Sequence, residues 1–179
     1  MHTAKLTVET LTIPTYPEPE REALPMFAEN RDHQRTSGRP YPSKVAIQVD
    51  REHLTPKDYT AVHMENDHLD LWILPEIGGR IFAAQDKSTG YDFFYRQHVI
   101  KPALIGALGS WISGGVEFNW PYHHRPSTFS PCDFTTEQDE DGTVICWLSE
   151  HEPVDRTKGM VGIVLRPDRS YLETRVKLS

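Results

Sequence analysis

Turn signals come at short intervals in this chain, and between them the apolar residues alternate. "MENDH" (Met64–His68), "DKSTG" (Asp86–Gly90), "QDEDG" (Gln138–Gly142) and "RPDRS" (Arg166–Ser170) each gather Asn, Asp, Ser or Gly, the residues that accept tight-turn backbone angles. Beside them Leu69, Leu71 and Ile73 share one parity, as do Val45, Ile47 and Val49. A period of two places one face of a strand inward. The pattern predicts hairpins pairing Ser127–Thr136 with Thr143–Ser149 and Met160–Leu165 with Tyr171–Leu178. It also predicts a turn centred on Asn66 and Asp67. No helical period persists beyond two turns. The expected fold is all-β, an antiparallel sandwich or barrel, with residues 1–179 forming one domain or the N-terminal part of one.

The first strand, around Leu6, Val8, Leu11 and Ile13, has an alternation that slips once, which predicts a bulge or a twist. Residues 14–42 then turn irregular and proline-rich. Pro17, Pro19, Pro25, Pro40 and Pro42 exclude a long helix or a central strand there. One helical turn around Glu20–Leu24 fits, and the segment is expected to wrap the outside of the core. At the other end "YLETRVKLS" closes on a strand pattern without a polar tail. This predicts an edge strand or a chain that continues in a longer protein, and self-association through the exposed edge.

Composition narrows the function classes. The net charge is −7, and no block of Lys or Arg stands out. That argues against a nucleic-acid surface, which needs clustered cations to neutralise phosphate. No apolar run approaches the roughly 20 residues that cross a bilayer, and the first residues lack the continuous apolar stretch of a signal peptide. Cys132 and Cys146 have no metal-knuckle spacing. They read as free thiols of a cytoplasmic protein, with pairing across a hairpin as the other arrangement.

The chemistry concentrates in "SGGVEFNWPYHHRP" (Ser113–Pro126), which follows a second glycine pair in "PEIGGRI" (Pro75–Ile81). Alternation through "VEFNW" would send Glu117 and Asn119 one way and Val116, Phe118 and Trp120 the other. A carboxylate and an amide ahead of His123 and His124 suit hydroxyl recognition. Trp111 and Trp120 could stack on a sugar ring while Arg80, Asn119 and Arg125 bind its oxygens. A carboxylate and a histidine also suffice for general acid–base chemistry, with Glu117, His123 and His124 as candidates. Two other readings stand beside this one. Glu117, Asp133 and the histidine pair could ligate a divalent metal, although adjacent strand residues face opposite ways and no HExxH spacing occurs. The cluster could also be a buried structural network. Neither glycine pair resembles a phosphate loop, since no Walker lysine or following helix is present. No cofactor or metal is expected.

"LPEIGGRI" with "WISGGVEFNWPYHHRPSTFSPCDF" resembles a bacterial domain-of-unknown-function family of the galactose-mutarotase-like superfamily, often placed ahead of tetratricopeptide repeats. The resemblance runs from about Lys44 to the C-terminus. It implies a supersandwich that handles carbohydrates, either as an enzyme at an anomeric centre or glycosidic bond or as a non-catalytic binding or scaffold module. In mutarotases a histidine protonates the ring oxygen and a glutamate takes the anomeric hydroxyl proton. Glu117, His123 and His124 form a comparable polar cluster. The mutarotase catalytic glutamate lies later in its domain than this chain extends, so the resemblance also implies part of a larger protein.

Overall fold

The structure, a computed structural model, describes residues 2–23, 44, 46–104, 109–120, 128–153 and 156–179. Two antiparallel sheets face each other. The first runs in chain order through β1 (Lys5–Thr15), β2 (Thr55–Glu65), β3 (Leu69–Leu74), β4 (Arg80–Asp86) and β5 (Tyr91–Asp92). A two-residue ladder joins β6 (Ala103–Leu104) to β7 (Ser110–Trp111). The second sheet comprises β8 (Asp133–Gln138), β9 (Val144–Glu152), β10 (Thr157–Leu165) and β11 (Glu173–Leu178), ordered β11-β10-β9-β8. Among the described residues there is no α-helix, and one 3-10 turn spans Pro75–Ile77. The chain is therefore an all-β antiparallel sandwich. No helix among the described residues is long and apolar enough to cross a membrane.

Alternation decides which side chains meet. Val62, Met64 and Leu71 of the first sheet pack against Cys146, Leu148, Val161 and Ile163 of the second, and this is the core between the sheets. The opposite face of the first sheet holds a second core, in which Ile13, Tyr59, Ala61 and Leu74 meet Ile100, Ile112 and Phe129. The slip in the β1 pattern follows from having two cores. Leu6 packs against the first, while Leu11 and Ile13 belong to the second. The expected bulge is not in β1, whose register with β2 is unbroken from Lys5↔Glu65 to Thr15↔Thr55. It lies in β4: Trp72 faces Ala83 but Ile73 faces Ile81, so Phe82 is the extra residue and joins the outer core.

The predicted turns connect the strands where expected, at Asn66–His68, Lys87–Gly90, Asp139–Thr143 and Arg166–Leu172. Asn66, 3% exposed, ties two of them together across the sandwich. Its Nδ2 donates to Arg166 O at 2.7 Å and Arg169 O at 2.8 Å, and its Oδ1 accepts from His68 N and Leu69 N. All four capacities of the amide are used.

Three local expectations need correction. Residues 46–50 form no strand, and Ala46 is buried there while Ile47 is exposed. Alternation alone makes no strand without a neighbour to pair with, and this stretch has none among the described residues. Residues 20–23 are not helical. Ordered strand also reaches into the proline-rich stretch, because β1 continues through Pro14, opposite Pro56. Proline is tolerated at such a strand end, where no ladder donor is needed. Beyond β1, Arg21 Nη1 donates to Ser130 Oγ at 2.8 Å, and residues 24–43 lie outside the described residues. The last strand, β11, is an edge, with Val176 and Leu178 more than half exposed.

Candidate functional site

At the end of the sandwich opposite Asn66, the 3-10 turn closes on Gly78 and Gly79, with φ of 68° and 67°. This corner delivers Arg80 as the first residue of β4 with only 1% of its surface exposed. Its Nη1 donates to Ile112 O at 3.1 Å and Gly114 O at 2.6 Å, and its Nη2 to Glu117 Oε2 at 3.2 Å. Burial pushes the guanidinium down to about 10, and the Glu117 carboxylate opposes the shift. Arg80 Nε is buried without a partner. A buried cation is costly unless paired and hydrogen-bonded. Arg80 therefore spends its donors on the 112–117 loop. Glu117 is held from the other side as well, its Oε1 accepting from Asn119 Nδ2 at 3.2 Å.

Gly115 allows the loop to come this close. Its φ is 69°, and a Cβ there would lie 2.2 Å from Ile81 O. With glycine in place, Ile81 N reaches Val116 O at 3.0 Å and Val116 N reaches Ile81 O at 2.9 Å. That single bridge is the only strand pairing in "VEFNW". The predicted alternation nevertheless holds. Val116, Phe118 and Trp120 pack against the inter-sheet core, while Glu117 and Asn119 turn toward Arg80.

Trp120 has a prepared seat. A Cβ on Gly159 would fall 1.6 Å from Trp120 Cε2 and 1.8 Å from Nε1, so the indole occupies the space of a side chain that β10 lacks. Gly159 pairs with Glu150 on β9, which places Glu150 on the same face, beside the ring. Phe118, Trp120, Cys132, Leu148 and Glu150 enclose a small hollow. It adjoins a polar cleft of about 330 Å³ lined by Arg21, Lys44, Asp133, Ser149, Glu150 and His151, among others. Beyond Arg21 and Pro131 a second cleft of about 240 Å³ holds Tyr16, Glu18, Lys57, Tyr59 and Glu76. Burial raises the Tyr59 phenol above its ordinary range, and its oxygen lies 3.0 Å from Thr15 Oγ1.

Of the residues singled out in the sequence, Arg80, Glu117 and Asn119 come together as a relay, and Trp120 lines the small hollow that adjoins the polar cleft. The relay itself lines none of these three hollows, and neither does Trp111, which pairs with Ala103 in the β6–β7 ladder. His123, His124 and Arg125 lie outside the described residues. The cleft residues Arg21, Lys44, Ser149 and Glu150 escaped the sequence reading, because only the Asp133↔Ser149 register and the Arg21–Ser130 hydrogen bond bring them together. Asp133 enters the sequence reading only as a possible metal ligand, and the fold sets it in the same cleft as His151. Neither Cys132 nor Cys146 forms a disulfide, and burial raises the Cys146 thiol to about 12. Among the described residues, His63, Glu65 and Asp70 have potential ligand atoms within 4.8 Å of one another. These are already matched, His63 Nε2 to Asp70 at 3.0 Å and Glu65 to Lys87 at 2.9 Å, with His63 stacked on Trp72.

The fold has a counterpart among solved structures. A TPR-domain containing protein from Parabacteroides distasonis ATCC 8503 superimposes with a TM-score of 0.82 at 21% identity, over 98% of this chain. The chain spans only 29% of the length of that protein. Residues 39–178 match the family described as Domain of unknown function (DUF5107). That match covers the loop, the corner, Trp120 and the strands that seat it, and the chain belongs to this family.

Proposed function

We propose that this end of the sandwich binds a carbohydrate and that the domain is a galactose-mutarotase-like module of a larger protein. The observation that carries the reading is the seat of Trp120. An indole set into a glycine gap beside Glu150, next to a cleft rich in both donors and acceptors, combines a flat apolar platform with convergent polar groups. Sugar rings present the matching surfaces, an apolar face and a rim of hydroxyls. The resemblance of the "GGVEFNW" segment to the mutarotase-like superfamily points the same way. Two cysteines outside any disulfide suit a reducing compartment such as the bacterial cytoplasm.

The relay favours binding over catalysis at Glu117. Both its oxygens accept hydrogen bonds, one from a buried cation, so the carboxylate is engaged in holding the loop. In this reading Arg80 and Glu117 position the platform, and the sugar meets Trp120, Glu150 and the cleft. Titration calorimetry against D-glucose, D-galactose and D-mannose tests it. At least one should bind, and Trp120→Ala should abolish that binding while the far-ultraviolet circular dichroism stays that of a β-sandwich. Failure of all three monosaccharides and their oligomers to bind would overturn the reading, as would undiminished binding by a folded Trp120→Ala variant.

A further inference from the structure

The two larger clefts are neighbours, and this bears on the length and charge of the ligand. Arg21 and Pro131 line both. Arg21 stands as a fixed ridge between them: its Nε and Nη2 donate to Glu18 Oε2 at 2.9 and 2.8 Å, its Nη1 to Ser130 Oγ at 2.8 Å, and its Nη2 also to Phe129 O at 3.3 Å. On one side of the ridge the first cleft runs through Glu150 and Cys132 to the Trp120 hollow. On the other side the second cleft reaches Tyr16 and Tyr59. The surface thus offers hollow, ridge and hollow, with aromatic rings at both extremes and polar groups between them. A monosaccharide would fill one cleft and leave the other idle. A chain of sugar rings would follow the whole path.

Charge defines the ligand further. The first cleft sets Arg21 and Lys44 against Asp133 and Glu150, and the second sets Arg21 and Lys57 against Glu18 and Glu76. Arg21 is common to both, so the whole path sets three cations, Arg21, Lys44 and Lys57, against four carboxylates, Glu18, Glu76, Asp133 and Glu150. A polyanionic glycan would meet at least as much repulsion as attraction, whereas hydroxyls can use both kinds of group. We infer that the ligand is a neutral oligosaccharide of two or more residues, laid across the Arg21 ridge with one ring in the Asp133–Glu150 cleft beside the Trp120 hollow and another in the Tyr16 cleft. This rests on the carbohydrate-binding reading of the same site and adds the length and charge class.

A ligand ladder separates the two ideas. D-glucose, D-mannose and D-galactose are titrated first, then the corresponding cello-, manno- and galacto-trisaccharides, then trigalacturonate. For one neutral series the trisaccharide should bind about tenfold or more tighter than its monosaccharide, because the second contact becomes intramolecular. Tyr16→Ala should remove most of that gain, weakening the trisaccharide far more than the monosaccharide. Affinity independent of length would overturn the inference and leave the sugar site standing. Equal loss for both ligand sizes in Tyr16→Ala, or a preference for trigalacturonate, would also overturn it. Absence of binding by every sugar would remove the carbohydrate reading together with the inference.

Discussion

Replacing Gly159 by alanine sets two ordinary effects against each other. Gly159 sits inside β10 without a positive φ, so backbone considerations alone favour alanine by about 0.5–1 kcal/mol. The new methyl, however, would stand 1.6 to 2.1 Å from three atoms of the Trp120 ring. No small adjustment accommodates that, so the indole must leave its seat. A tryptophan side chain buries about 150–250 Å². At about 25 cal/mol per Å², complete expulsion would cost roughly 4–6 kcal/mol. Most of the Trp120 surface is buried, so the larger part of that, about 3–5 kcal/mol, is at stake. After the backbone gain is subtracted, Gly159→Ala should destabilise the protein by roughly 2–4 kcal/mol. Urea denaturation followed by circular dichroism measures the change, and the cycle with Trp120→Ala isolates its cause. Without the indole, the same Gly159→Ala change should be neutral or slightly stabilising. A wild-type background in which Gly159→Ala is neutral or stabilising would refute the seating of Trp120.

Other perturbations test the rest of the frame. Glu117→Ala leaves the Arg80 cation buried without its counter-charge and should cost about 3–5 kcal/mol by urea denaturation; Glu117→Gln retains an acceptor and should cost clearly less, and equal losses would show that charge is unimportant there. Asn66→Asp keeps the two accepted bonds but sets a carboxylate oxygen against Arg166 O and Arg169 O, so it should lower stability by about 2–4 kcal/mol at neutral pH, with a loss under 0.5 kcal/mol dismissing the clamp. Lys87 holds the Glu65 carboxyl below its ordinary value of 4.5. That pairing stabilises above the ordinary value and is lost as pH falls through the lowered one, so the deficit of Lys87→Met against wild type, read as a urea midpoint, should shrink on acidification; a deficit constant with pH would exclude the pair as its source.

Local chemistry made much of the fold readable before any coordinates. Asn66–Asp67 and Asp141–Gly142 prescribe turns by their own backbone preferences, and Leu69, Leu71 and Ile73 prescribe a face. The errors arose where burial depends on distant partners. Val45, Ile47 and Val49 alternate as cleanly as any strand, but no neighbour pairs with the described part of that stretch. The slip between Val8 and Leu11 suggested a bulge because alternation assumes one buried face, and the first sheet buries both. Arg80 and Glu117 each follow a glycine pair, which flags close backbone approach. Their engagement with the loop was not legible, since it depends on the carbonyls of Ile112 and Gly114. The polar cleft was hidden for the same reason: Arg21, Asp133 and Glu150 are scattered along the chain.

The Val116–Trp120 segment faces two masters with strict parity, Arg80 on one side and the Gly159 gap on the other. Substitutions at these positions change one side at a time, but a shift of length changes both. Deleting a single residue between Val116 and Trp120 would bring a carboxylate or an amide to the gap and an aromatic ring to the buried guanidinium. Insertion would do the same in the other direction. Related chains can vary in the identity of these five residues, yet their number should be invariant.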